Sequence, residues 1–127
     1  MFTAVTKGIR VTATPQYQEM ESNETEGLFV FSYKIDILNE SKMPVQLLSR
    51  HWIIMDGSGR QEEVQGPGVV GQQPVINVGD QFSYTSFCPL STEVGSMSGT
   101  YQMRSKEGEE FDVIIPTFTL AVPGALN

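Results

Sequence analysis

Three glycines have the spacing of a phosphate-binding loop. Gly66, Gly68 and Gly71 match the pattern G-x-G-x-x-G. This pattern binds the pyrophosphate of a dinucleotide when a strand precedes it and a helix follows. Residues 61–65 can form the strand, but Pro74 and the strand-and-turn sequence after it leave no room for the helix.

The residues alone therefore favour a glycine-rich connection between two strands. Pro67, inside the pattern, lacks the backbone N–H that would donate to a phosphate. The alternative is an anion- or nucleotide-binding loop without a dinucleotide-binding fold. In that case the backbone N–H donors would come from Gly66, Gly68, Val69, Val70 and Gly71.

Arg50 is the side chain best placed to assist such a loop. Strand alternation puts Arg50, Trp52 and Asp56 on one face of a predicted strand. A charge two residues from a core tryptophan needs a partner. Two alternatives remain open: Arg50 pairs with a carboxylate, or it reaches the glycine loop and receives an anion.

The other reactive side chains form no recognisable catalytic or metal-binding set. His51 is the only histidine and points to the face opposite Trp52, so a metal site would need carboxylates. Cys88 has no basic neighbour and reads as a small, partly buried hydrophobic residue. Glu62 and Glu63 alternate between strand faces and cannot share one site. We therefore predict no enzymatic activity, no catalytic residues, no metal site and no cofactor.

Charge and composition narrow the class of protein. The chain has 127 residues, one cysteine and a formal net charge of −7, and its eight basic residues are scattered. This argues against non-specific nucleic-acid binding and against binding to anionic membranes. It has neither a signal-peptide pattern nor an apolar run of about 18 residues. We expect a single cytoplasmic domain over residues 1–127, with residues 121–127 as a loose tail.

Short alternating segments separated by turn residues predict an all-β chain. Strands are expected at residues 5–15, 28–39, 45–55, 60–65, 81–87, 97–104 and from 111 onward. Pro15 and Pro89 are expected to end their strands. The acidic segment 16–27 is typical of a solvated loop, with a cation site as the alternative.

This pattern favours an antiparallel β-sandwich of seven or more strands, of the immunoglobulin or fibronectin type III kind. Gly99-x-Tyr101-x-Met103 resembles the G-x-Y-x-C segment of immunoglobulin strand F, with methionine in the place of cysteine. Trp52 would be the core tryptophan of that fold.

Four blocks of residues, taken together, resemble the ApaG family. They are Arg50-x-Trp52-x-Ile54-x-Asp56, Val64-x-Gly66-x-Gly68-Val69-Val70-Gly71-x-x-Pro74, Phe82-x-Tyr84-x-Ser86 and Gly95-x-Met97-x-Gly99-x-Tyr101-x-Met103. Val78 and Phe87 depart from the family pattern. The resemblance implies a fibronectin-type-III-like fold in a small bacterial cytoplasmic protein. It also implies a link to cobalt resistance and magnesium efflux, and a glycine motif that binds pyrophosphate or nucleotide.

Similar domains in eukaryotic F-box proteins look like protein-interaction modules. We therefore expect a non-enzymatic module for an unidentified protein partner, monomeric or weakly homodimeric. The alternative is a nucleotide- or pyrophosphate-binding protein that uses loop 66–71 and Arg50. No partnership with nucleic acid or membrane is expected.

Overall fold

Two antiparallel sheets face each other in the structure, a computed structural model that describes residues 1–126. The first sheet has the strand order β1-β2-β3-β7, and the second has the order β5-β4-β8-β9, with the short β6 also paired to β4. The strands are β1 Phe2–Thr6, β2 Ile9–Tyr17, β3 Phe29–Asn39, β4 Val45–Asp56, β5 Gln61–Pro67, β6 Val75–Ile76, β7 Gln81–Leu90, β8 Val94–Ser105 and β9 Glu110–Ala121. The predicted β-sandwich is confirmed.

The core lies between the sheets and is centred on Trp52, which is 3% exposed. Its ring meets Tyr33, Tyr101 and Phe118 edge-on at centroid distances of 5.3, 6.4 and 6.0 Å. Edge-to-face packing of this kind adds to the stabilisation from burial alone. Met103, in the place of the immunoglobulin cysteine, is fully buried. Both core predictions, for Trp52 and for Met103, are confirmed.

The prediction of a single strand at residues 5–15 is wrong at both ends. Lys7 and Gly8 have positive φ values of 49° and 80° and form a tight turn, so two strands, β1 and β2, stand here instead of one. Pro15 lies inside β2, opposite Tyr33. The register of β1 reaches only Ala13, so the missing N–H of Pro15 removes no bond to that neighbour.

Two later prolines also lie inside strands, and only for Pro89 does this contradict the prediction. Pro89 lies inside β7, whose only partner is β3, so a proline can sit on the unpaired side of this edge strand. Pro116 lies inside β9, where the register with β8 shifts between Met97 and Gly99. Such a bulge gives a proline room in a strand.

A bulge in β4 decides which way the candidate site residues point. Leu47 pairs with Met103 and Ser49 with Gln102, so Leu48 is one extra residue on β4. Leu47 before the bulge and Trp52 after it are both buried. Because strand side chains alternate, the extra residue is what lets an odd-numbered and an even-numbered position face the same core.

The acidic segment between β2 and β3 contains two short 3-10 turns, Glu19–Glu21 and Glu24–Glu26, neither with a buried residue. At the C-terminal end, Ala121 completes β9 and the N–H of Ala125 donates to the carbonyl of Val122. Residue 127 of the predicted tail lies outside the described residues. Among residues 1–126, no helix is long and apolar enough to cross a membrane.

Candidate ligand-binding cleft between the sheets

The two sides of the sandwich differ in how they are closed. On one side β9 packs against β1 and β2, and the N–H of Ile114 donates to Oγ1 of Thr6 at 3.1 Å. On the other side, β5 and β7 are the last strands of their sheets. We call the second the open side, because a cleft enters the molecule there between the sheets.

The cleft has two adjoining compartments of about 420 and 340 Å³. Tyr33, Arg50, Trp52 and Ser86 line both of them. The first compartment is completed by the glycine-rich loop and Tyr84, and the second by Glu62 and Val64 of β5 and by the end of β7 around Cys88. The cleft therefore combines an aromatic wall, hydroxyl groups and one guanidinium.

Arg50 is the cation of this cleft. Its Nη1 donates to the carbonyl oxygens of Pro67 and Gly68, both at 2.9 Å. None of the ion pairs found among residues 1–126 includes Arg50, so no described carboxylate lies within 4.0 Å of its guanidinium. Of the two alternatives for Arg50, the structure therefore places it against the glycine loop, with its charge uncompensated at that range.

Two tyrosines beside Arg50 remain neutral hydroxyl donors at ordinary pH. Burial raises the pKa of Tyr33 and of Tyr84 above the ordinary tyrosine value, although the charge of Arg50 opposes both shifts. The hydroxyls of Tyr84 and Tyr101 form a short hydrogen bond. The positive charge in the cleft is thus surrounded by neutral groups, apart from Glu62 at the far end.

The tip of the glycine-rich loop is a tight hairpin turn. Val69 and Gln72 exchange N–H to carbonyl bonds at 2.8 and 2.9 Å, and the residues between them, Val70 and Gly71, have φ values of 43° and 80°. Positive φ at both central residues is the geometry of a type I′ turn. The N–H of Gly68 donates to the carbonyl of Leu48 at 2.8 Å. Much of the backbone hydrogen bonding of the loop thus stabilises the loop's own conformation.

Each glycine of the motif has its own structural reason. A Cβ on Gly68 would stand 2.2 Å from the carbonyl oxygen of Gln72, and the φ of Gly68 is 61°. A Cβ on Gly66 would stand 3.2 Å from the terminal nitrogens of Arg50. Gly71 has nothing within 4 Å but needs its positive φ.

Val69 and Val70 differ in exposure and in backbone strain. Val69 is 1% exposed and packs in the core, whereas Val70 is 55% exposed at the loop tip. A β-branched residue rarely adopts positive φ, so Val70 is a strained residue at the mouth of the cleft. Among residues 66–71, only Val70 and Gly71 combine a position at the tip with an N–H that makes no bond to the loop itself.

The fold and these blocks of residues are matched by known proteins. The description of the family model that matches residues 19–105 is "ApaG domain". The chain belongs to the ApaG family. It is similar to Protein ApaG of Mesorhizobium japonicum, with 55% identity over 124 residues that cover 98% of this chain and 95% of that protein. Protein ApaG of Anaeromyxobacter dehalogenans is 51% identical over 127 residues, covering all of both chains.

A crystal structure of an ApaA protein from Bordetella pertussis shows the same sandwich. Its TM-score is 0.90 at 46% sequence identity, and the match covers 91% of this chain and 94% of that one. The ApaG-family assignment reached from the four sequence blocks is therefore confirmed, together with the fold that it implied.

Sequence reasoning placed some site residues of this ApaG-family chain and missed others. Arg50 does lie beside loop 66–71, as the second alternative required. Tyr33, Tyr84 and Ser86 also line the cleft, but none of them was among the predicted site residues. A signal for two of them was present, since Tyr84 and Ser86 are two positions apart and so share one face of a strand. What was lacking was the knowledge that β7 ends its sheet opposite β4 and β5.

Two further side chains behave as their neighbours in the sequence suggested. His51 points outward, and its Nε2 lies 3.0 Å from Oε2 of Glu63 on the outer face of the second sheet. Cys88 is 3% exposed, and burial raises the pKa of its thiol to about 11, which keeps it protonated and unreactive at neutral pH. Glu62 faces the cleft instead, so the two glutamates do lie on opposite faces.

Proposed function

We propose that this ApaG-family chain is a non-enzymatic binding module that docks a protein partner on its open side. The observation that carries the proposal is the edge strand β7. None of its ten residues is charged, although it is the last strand of its sheet and borders the cleft. Proteins ordinarily protect such an edge with charges, because it can pair with another chain.

The glycine loop acts as a structural element, and this favours a binding module over an anion-binding protein. Gly68 and Gly71 are required by the turn, and three N–H groups, those of Gly68, Val69 and Gln72, donate to backbone carbonyls within the chain. An anion-binding nest would instead direct several successive N–H groups at one point. We propose that the protein acts in the cytoplasm and that any link to cobalt resistance or magnesium efflux arises through its partner.

Photo-crosslinking tests this proposal. A benzophenone amino acid is introduced at Thr85 on β7 and, as a control, at the exposed Thr117 on β9. Illumination of cells should give a partner adduct from position 85 and none from position 117. Adducts from both positions alike, or from position 117 alone, would contradict docking on the open side.

One observation favours a second candidate, the binding of a nucleotide or pyrophosphate. Arg50 has no carboxylate partner among the described residues, and the N–H groups of Val70 and Gly71 lie beside it at the loop tip. An amide chemical-shift titration with ATP and with diadenosine tetraphosphate, with and without magnesium, tests it. Saturable shifts confined to residues 66–71 and Arg50 would support this candidate, and an unchanged loop would remove it.

A further inference from the structure

We propose that the open side takes an extended peptide segment, which adds to β7 as a fifth strand of the first sheet and places an acidic side chain on Arg50. This inference rests on the proposed function and specifies the chemistry of the partner. Strand addition of this kind draws affinity from main-chain hydrogen bonds and specificity from pockets for alternate side chains.

The register shows which backbone groups of β7 are unpaired. The N–H of Asn39 donates to the carbonyl of Asp80, one step beyond the paired residues Leu38 and Gln81. Because ladder bonds alternate along an antiparallel pair, the even-numbered residues of β7 bond to β3. The odd-numbered residues therefore turn their N–H and C=O groups to the free edge: Gln81, Ser83, Thr85 and Phe87, with Pro89 contributing only its C=O.

No other segment among residues 1–126 covers these unpaired N–H and C=O groups of β7. The backbone bonds formed outside the strand ladders include none to residues 81–90, and no side chain bonds to a backbone group of Ser83, Thr85 or Phe87. The edges of β1 and β9 lie together on the closed side, and the edge of β5 carries Glu62 and Glu63. Among the described strands, β7 thus offers a long edge without charge and without cover.

Arg50 is positioned to read an inward side chain of the added strand. A strand beside β7 would lie opposite β5, since β7 and β5 are the last strands of the two sheets. Gly66 has no side chain, so the guanidinium of Arg50 lies against the inner face of β5 at that point. An inward carboxylate on the new strand would meet this guanidinium, whose Nη2 and Nε donate to no described acceptor.

Phe87 specifies the opposite face of the same peptide. It is 59% exposed on the outer face of β7, one position from Ser86 in the cleft. An apolar residue on the outer face of the added strand would pair with it across the strands. The expected segment therefore alternates, with an aspartate or glutamate facing Arg50 and an apolar residue beside Phe87.

The experiment uses the full chain and a phage-displayed library of random dodecapeptides. We expect selected peptides to carry an acidic residue next to an apolar one, with binding reported by the fluorescence of Trp52, the only tryptophan, which lines the cleft. Arg50→Gln should weaken the acidic peptide about tenfold. The same variant should leave the affinity of the peptide's glutamine or asparagine analogue nearly unchanged.

Thr85→Pro tests strand addition separately from charge. The N–H of Thr85 points to the free edge, so proline removes a donor to the peptide without removing a bond to β3. It should weaken binding about tenfold or more, while Thr85→Val, which keeps the N–H, should bind within about twofold of the parent. Amide spectra of both variants establish that the fold is intact.

Three outcomes would overturn the inference. The first is selected peptides without acidic residues, and the second is full binding by Thr85→Pro. The third is self-association of the chain through β7, detected as a dimer that Thr85→Pro abolishes. If crosslinks at position 85 persist while peptides bind regardless of Thr85→Pro and Arg50→Gln, the proposed docking side stands and the strand-addition mechanism fails.

Discussion

The guanidinium of Arg50 fills the space that a side chain at position 66 would need. A Cβ on Gly66 would lie 3.2 Å from both Nη1 and Nη2, and Nη1 donates to the carbonyl oxygens of Pro67 and Gly68. The backbone of Gly66 does not have positive φ. This glycine is therefore explained by its neighbour and not by its own conformation.

Gly66→Ala should displace Arg50 while leaving the sandwich folded. The clash is with the end of a flexible side chain, so we expect a loss of about 1 kcal/mol or less in the free energy of unfolding. The loss in binding free energy for an acidic ligand in the cleft should exceed this loss in stability. Urea unfolding and a fluorescence titration measure the two effects. A loss of several kcal/mol would show that Gly66 has a further structural role.

Gly68→Ala should destabilise the chain strongly, because its Cβ would stand 2.2 Å from a backbone oxygen at a φ of 61°. We expect a loss of about 2 kcal/mol or more. Gly71→Ala is the matched control, since its φ is also positive but nothing lies within 4 Å of the new Cβ. It should cost about 1 kcal/mol. Equal losses for the two variants in urea unfolding would contradict the steric explanation.

The hydroxyl pair of Tyr84 and Tyr101 should respond asymmetrically to its two deletions. Tyr84→Phe leaves the hydroxyl of the fully buried Tyr101 without its partner, at a cost of about 1 to 3 kcal/mol. Tyr101→Phe should cost less, because Tyr84 is 9% exposed and lines the cleft, whereas Tyr101 is fully buried. The double variant should cost less than the sum of the two. Additive costs in thermal unfolding would show that the bond contributes nothing.

Alkaline pH should destabilise the fold partly through Cys88. Burial raises the pKa of this thiol from 9.0 to about 11, so the folded state holds its proton more tightly than the unfolded state. The resulting stability is fully present below pH 9 and is lost as the pH rises through about 11. Cys88→Ala should reduce the slope of stability against pH between these values. An unchanged slope would assign the loss to the tyrosines, whose pKa values are also raised.

Alternation in the sequence was enough to locate β3, to bury Trp52 and to put Glu62 and Glu63 on opposite faces. It could not divide β1 from β2, because Lys7 carries no turn signal of its own and takes a positive φ only beside Gly8. The sequence also predicted, wrongly, that strands end at Pro15 and Pro89. A proline is tolerated inside a strand where its nitrogen faces no partner strand. Which strands are edges is a property of the assembled sheets.

The cleft, like the sheet edges, exists only once the two sheets have assembled. Tyr33, Arg50 and Ser86 come from β3, β4 and β7, which belong to two different sheets, and their meeting depends on the order of strands in those sheets. The sequence correctly predicted that Gly68 and Gly71 lie in a connection between strands, because Pro67 and Pro74 constrain the backbone locally, although Gly66 itself belongs to β5. Local constraints were predictable from the sequence and the assembled surface was not.

The extra residue at Leu48 makes the length of β4 as important as its composition. Deleting this one residue would rotate every later side chain of the strand by half a turn. Trp52 and Arg50 would then face solvent, and His51 and Ile53 would enter the core. A chain shortened by one amino acid here would thus lose its aromatic centre and its cleft cation together, although every residue that forms them would still be present.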